Sequence, residues 1–141
     1  MPVSSWKVED LIPHRPPMVL IDEIESVDLD SSVLVASFTA KEQWRGNWFA
    51  IEYMAQTAAA LAGVFDRAAG LPAGRPGFLL GTRRLELGIA EFVPGVRYLV
   101  KAVREYVDGD SAAFACEIWE AGRESQSSKC TATLTAYRGS L

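Results

Sequence analysis

Polar and apolar residues alternate loosely in two short stretches near the start of the chain, give way to one long apolar segment, and alternate again through four longer stretches. "KVEDLIPHRPP" predicts a short helical turn over Val8–Ile12, stopped by Pro13 and the Pro16-Pro17 pair. "MVLIDEIESVD" suits a first strand from Met18 to about Val27, and "SVLVASFTA" a second, with "DLDSS" turning between them. The apolar segment then predicts a helix from about Asn47 to Ala69, with Asn47 as N-cap and Gly70, Pro72 and Gly74 as stop signals. Ala55, Ala58, Ala59, Ala62 and Gly63 give it a small-residue surface, and large apolar side chains occupy much of the rest. A helix apolar nearly all round is expected to be buried nearly all round.

The second half reads as four strands: "GFLLGTRRLEL", "VRYLVKAVREYV", "SAAFACEIWEAG" and "ESQSSKCTATLTAY". Asp108-Gly109 and Ala121-Gly122 are hairpin signals, so the last three should form an antiparallel meander. Two strands, one long helix and four strands can cover the helix only by curling the sheet around it. The expected class is α+β with the hotdog fold, as a single domain over residues 1–141.

Composition narrows the functions. A net charge of −4 argues against nucleic acid, because neutralising phosphates needs a basic face. The longest strictly apolar run in the helix, Ala58 to Phe65, falls far short of the roughly twenty residues a membrane span needs. The N-terminus lacks a cationic start followed by an apolar core, so no secretory signal is expected and the cytoplasm is the expected location. Cys116 and Cys130 lack metal-site spacing and read as buried thiols, and a lone histidine argues against a His-rich zinc site. Neither metal nor cofactor is expected.

Two motifs carry a resemblance. "LIPHRPPMVLIDEI" resembles the N-terminal segment of the 3-hydroxyacyl-[acyl carrier protein] dehydratases, and "FAIEYMAQTAAALAG" resembles their central helix. "GFLLGTRRLELGIAEFVPGVRYLV" echoes their third strand and the turn after it, so the likeness covers about residues 11 to 104. More closely, the chain resembles the dehydratase-like hotdog proteins of aryl polyene and related fatty-acid or polyketide pathways. The resemblance implies a dimer, homomeric or with a homologous dehydratase, acting on acyl groups carried by acyl carrier protein through phosphopantetheine.

The chemistry explains the motif residues. Dehydration of a 3-hydroxyacyl thioester removes a proton beside the carbonyl, and water then leaves from the next carbon. The carbonyl oxygen gains charge and needs fixed donors, which a helix N-terminus supplies. The leaving hydroxyl needs a proton donor, and a carboxyl in an apolar site is one. Glu52 matches the family's acid, with Gln56 one turn on to hydrogen-bond it. By the resemblance, the backbone N–H of Asn47 would face the thioester oxygen. The family's base, a histidine fourteen positions before the acid, is here Phe38. The sole histidine, His14, belongs to the "PHR" segment and is open to two roles, loop anchor or base. Trp48, with Trp44 and Phe49, is core or dimer packing, or acyl-tunnel lining. Arg83 and Arg84 are ordinary strand charges or contacts for an acidic carrier protein. Four functions stay open at this stage: active dehydratase; catalytically incomplete partner subunit completing a heterodimeric site; acyl-thioesterase using a helix carboxylate to activate water; and non-catalytic acyl-binding module.

Overall fold

Each alternating stretch becomes a strand, and the strands join in one sheet against a single long helix. The structure is a computed structural model and describes residues 6–126 and 128–138. Residues 1–5 at the head of the N-terminal segment, Ser127 within the expected last strand, and residues 139–141 lie outside the described part. The order is α1 (Val8–Leu11), β1 (Glu23–Asp28), β2 (Val33–Thr39), a 3-10 turn (Glu42–Trp44), α2 (Phe49–Ala68), β3 (Phe78–Leu87), β4 (Arg97–Asp108), β5 (Ser111–Glu120) and β6 (Cys130–Tyr137). All pairs are antiparallel in one sheet of order β1-β2-β4-β5-β6-β3. The expected meander of the last three strands is present. β3 crosses to the far edge, beyond β6. α2 packs on β2, β4, β5 and β6, which is the hotdog arrangement.

The period-two pattern sets the core. Leu34, Ala36 and Phe38 of β2 are buried with Tyr98, Val100 and Ala102 of β4, and so are Phe114, Cys116 and Ile118 of β5 with Ala132 and Leu134 of β6. The β4–β5 hairpin closes across Gly109-Asp110 between the paired Asp108 and Ser111. Gly109 at φ +60 supplies the conformation that a two-residue turn requires at its first central position. Both cysteines are free and buried, and burial pushes the Cys116 thiol up to about 12.

Three boundaries differ from the sequence reading. β1 begins at Glu23 rather than Met18, because the backbone at Met18 and Leu20 bonds a glutamine side chain of α2 instead of a neighbouring strand. β6 begins at Cys130 rather than Glu124, since consecutive tight turns through Arg123 and Gln126 come first. Asn47 is not the N-cap of α2. Trp48 holds that position without a side-chain cap, while the Asn47 amide donates to the Ile89 carbonyl at 3.0 Å.

Nor is α2 buried all round. Glu52, Ala55, Ala59 and Ala62, spaced three or four apart, form a half-buried stripe, while Tyr53, Met54, Thr57, Ala60, Leu61 and Val64 are covered. No helix among the described residues is long and apolar enough to cross a membrane.

α1 approaches α2 at Gly63. A Cβ there would lie 2.4 Å from the Leu11 carbonyl oxygen, a backbone atom that can yield only by moving α1. An alanine in an exposed helix would gain about 1 kcal/mol over glycine. Here Gly63→Ala is expected to have the opposite sign, a loss of about 1–2 kcal/mol from overpacking, read from urea unfolding midpoints. A stabilised variant would show that the contact is dispensable.

Candidate active site

The close packing at Gly63 carries the chain from α1 straight into Pro13 and His14, so it delivers the histidine onto α2. There His14 Nε2 lies 3.5 Å from Glu52 Oε1. Both side chains are partly open, 31% and 38% exposed, and both line one cavity. His14 Nδ1 is buried and has no partner among the described residues, so the imidazole makes no bond to its own loop there. The anchor of that loop is the next residue. One Arg15 nitrogen, Nη1, donates to the carbonyls of Glu9, Ile12 and His14 at 3.2, 3.0 and 2.7 Å.

Glu52 is held from behind. Gln56 is fully buried, and its Nε2 donates to Glu52 Oε1 at 2.9 Å and to the Met18 carbonyl at 2.8 Å. Its Oε1 accepts from the Leu20 N–H at 2.8 Å. Both amide donors and the amide oxygen are engaged, which fixes the orientation of Gln56 and gives Glu52 Oε1 a buried donor. Glu52, His14 and Gln56 are brought together as the sequence predicts. Gln56 stands behind Glu52 rather than in the cavity wall, so its contact with any substrate is indirect.

The other candidates lie elsewhere. Phe38 is buried, stacked on Tyr53 at 3.7 Å and packed with Phe92 and Tyr98. It sits in an aromatic core with the covered face of α2, whereas Glu52 belongs to the half-buried stripe. The Asn47 side chain is spent on Ile89, as above, and the residue is not part of the cavity lining. Trp48 is 67% exposed and outside the cavity, its ring folded over Gly46, where a Cβ would meet the indole at 2.4 Å. Arg83 and Arg84 are exposed on β3.

The cavity has a volume of about 290 Å³ and runs along the small stripe of α2. Ala55, Ala58, Ala59, Ala62 and Gly63 form one wall, and Phe78, Leu79, Phe114, Leu134 and Ala136 contribute to the other. Small residues on the helix leave room that a leucine would fill. The two carboxylates of α2 that line it, Glu52 and Asp66, stand fourteen positions apart, about 21 Å along the helix axis.

Asp66, only 5% exposed, is gripped by two arginines. Arg75 Nη2 lies 2.8 Å from Oδ1, while Arg138 Nη1 reaches Oδ2 at 2.5 Å and its Nη2 reaches Oδ1 at 3.1 Å. Sequence reasoning missed this cluster, because its members lie in α2, in the loop after it and beyond the end of β6. One signal was present: fourteen positions is close to four whole turns, so Asp66 returns to nearly the face of Glu52.

A family model of the ApeP-like family, described as ApeP dehydratase, matches residues 6–140. No curated protein matches the chain. Among solved structures, a chain of the dehydratase heterocomplex ApeI:P from Xenorhabdus doucetiae superposes with a TM-score of 0.84 at 23% identity, covering 96% of this chain and 92% of that one. A putative thioesterase related to phenylacetic acid degradation from Ralstonia eutropha gives 0.61 at 18% identity, covering 81% and 82%. A hypothetical thioesterase with coenzyme A from Streptococcus pneumoniae gives 0.61 at 12%, covering 84% and 86%. At such identities these structures establish the fold alone.

Burial would raise the Asp66 pKa, but the hydrogen bonds and charges of Arg138 and Arg75 outweigh it and hold the carboxyl below its ordinary value. A depressed carboxylate stabilises the fold fully above the unfolded-state pKa, about 3.9, and loses that contribution as pH falls through the lower folded value. Asp66→Asn is expected to cost about 3 kcal/mol or more at pH 7, because two part-buried guanidinium groups lose their counter-charge. The gap in unfolding midpoint between wild type and variant should narrow below about pH 4. A gap that stays constant from pH 7 to pH 3 would contradict an ionised Asp66 clamp.

Proposed function

Because the chain belongs to the ApeP-like family of dehydratases, we propose that it eliminates water from a 3-hydroxyacyl thioester and that His14 and Glu52 move the protons. The observation that carries this reading is the 3.5 Å approach of His14 Nε2 to Glu52 Oε1 at the cavity, both groups coming from one chain. The proton removed and the hydroxyl expelled sit on adjacent carbons, so base and acid must stand within a few ångströms of each other. His14 takes the proton beside the carbonyl. The C–H electron pair becomes the new double bond as the C–O bond breaks. Glu52 donates its proton to the departing hydroxyl, which leaves as water. The imidazolium and carboxylate that remain are neighbours, so a direct transfer from His14 to Glu52 restores the starting state. Phe38, at the position of the family's histidine, is then no loss, because the base comes from the "PHR" segment.

The thioester is that of an acyl carrier protein in fatty-acid, polyketide or aryl-polyene-type synthesis, in the cytoplasm. A second chain belongs to the working assembly. β3 is an edge strand with no buried residue, and it exposes Phe78, Leu79, Leu80 and Leu85. Such an edge invites strand pairing. Phe78 and Leu79 also wall the cavity, so a partner on this edge would close it. The likeness to a chain of a dehydratase heterocomplex supports a homologous dehydratase as that partner, alongside the homodimer.

The test is turnover of 3-hydroxyacyl-acyl carrier protein by the chain alone and with a homologous dehydratase. Glu52→Gln keeps shape and hydrogen bonding but carries no transferable proton. His14→Asn removes the base without breaking a loop hydrogen bond. Each is expected to lower turnover by about a hundredfold or more, near 3 kcal/mol in the barrier, in a protein that still unfolds cooperatively. Full activity in the His14 variant would return that residue to a structural role. Release of free acid instead of the enoyl product would favour a thioesterase.

A further inference from the structure

The cavity's arginines are not all accounted for by Asp66. Arg75 and Arg138 grip it, but Arg104 on β4 lines the same cavity and has no carboxylate or hydrogen-bond acceptor among the described residues. Its guanidinium lies 3.5 Å from the centre of the Phe65 ring, a face that holds a cation without neutralising it. Burial first, and Arg138 second, press its pKa downward, and the charge of Asp66 offsets this only in part. Asp110, bound through its carbonyl to the Arg138 N–H, is the other acid lining this end. Three guanidinium groups thus face two carboxylates.

We infer that Arg104, flanked by Arg138, is a subsite for an anionic group that the substrate carries at the far end of the cavity from His14 and Glu52. This rests on the dehydratase reading of the cavity. Its physical basis is an arginine fork left with donors to spare in a channel whose helix wall is alanine and glycine. The position restricts the ligand. The helix separates Glu52 from Asp66 by about 21 Å, and an extended chain of about sixteen bonds reaches roughly that far. Two thioesters place an anion there: one whose carrier arm ends in a phosphate, and one whose acyl chain ends in a carboxylate. Both offer the oxygens that a guanidinium takes up.

The experiment compares kcat/KM of wild type and Arg104→Gln on four 3-hydroxyacyl thioesters. The coenzyme A and N-acetylcysteamine thioesters differ in the phosphate-bearing arm, and each is made with a methyl-ended and a carboxyl-ended acyl chain. The variant should lose at least about tenfold on substrates carrying the recognised anion, and nothing on the neutral, methyl-ended N-acetylcysteamine thioester. A loss confined to coenzyme A substrates assigns the site to the arm phosphate. A loss confined to carboxyl-ended chains assigns it to the acyl terminus. An equal loss on all four in a folded variant overturns the subsite, as does no loss on any. Calorimetric titration with 4′-phosphopantetheine, pantetheine and a long-chain dicarboxylate reads the same subsite without turnover. Tighter binding of one of the anions by wild type, abolished in Arg104→Gln, upholds it even if the dehydratase reading fails. Equal binding by both proteins counts against it.

Discussion

One buried amide holds the site together. Gln56 has no exposed surface, and it spends its carbonyl on Leu20 and its amino group on Met18 and Glu52. A buried amide with any of these partners missing would carry a desolvation cost of about 1–3 kcal/mol. The arrangement is therefore close to all-or-none. The segment before β1 must lie against α2 for the glutamine to be satisfied, and a satisfied glutamine holds a buried donor against Glu52 Oε1. The segment that Gln56 captures is continuous with the loop carrying His14, so the same bonds help set the distance between His14 and Glu52.

Two further constraints act on that loop from other directions. Gly63 lets the Leu11 carbonyl approach the α2 backbone more closely than any side chain would allow. Arg15 ties the carbonyls of Glu9, Ile12 and His14 together, so the loop keeps its shape without help from the histidine. Among the described residues, the His14 imidazole is thereby left beside Glu52 with an unpartnered Nδ1. A histidine relieved of structural duty, set beside a carboxylate on a cavity wall, has the properties of a residue held for proton transfer.

The cavity itself follows from what α2 lacks. Alanine and glycine along one stripe leave a channel between helix and sheet. Its ends differ chemically: His14 and Glu52 meet at one, and an aspartate locked between two arginines stands near the other. The Asp66 clamp ties the end of α2 to the loop after it and to the chain beyond β6, which keeps the channel open at a fixed length. The sheet covers α2 along its core face, while β3 stays exposed at the edge with its apolar side chains on the surface.

Local information set the elements. Periodicity marked every strand and the long helix, with the starts of β1 and β6 off by five and six residues, because alternation and helical spacing are imposed by the backbone itself. Glu52 and Gln56 were legible as a pair because one turn of helix separates them, whatever the rest of the chain does. Where the alternation misled, the backbone had found a partner that no local rule sees: Met18 and Leu20 read as strand but bond a side chain thirty-six or more positions away. Phe38 was drawn to the site by alignment with a motif and Trp48 as one option for tunnel lining, and packing placed one in an aromatic core and the other on the surface. His14 could be read as anchor or base from its neighbours alone. Only the tertiary structure decided that Arg15 braces the loop and that the histidine meets Glu52, because that meeting depends on a close approach between two helices. The arginine cluster is the extreme case. Arg75, Arg104 and Arg138 are far apart in sequence and share no motif; a buried carboxylate at the end of α2 gathers two of them, and the fold sets the third over Phe65.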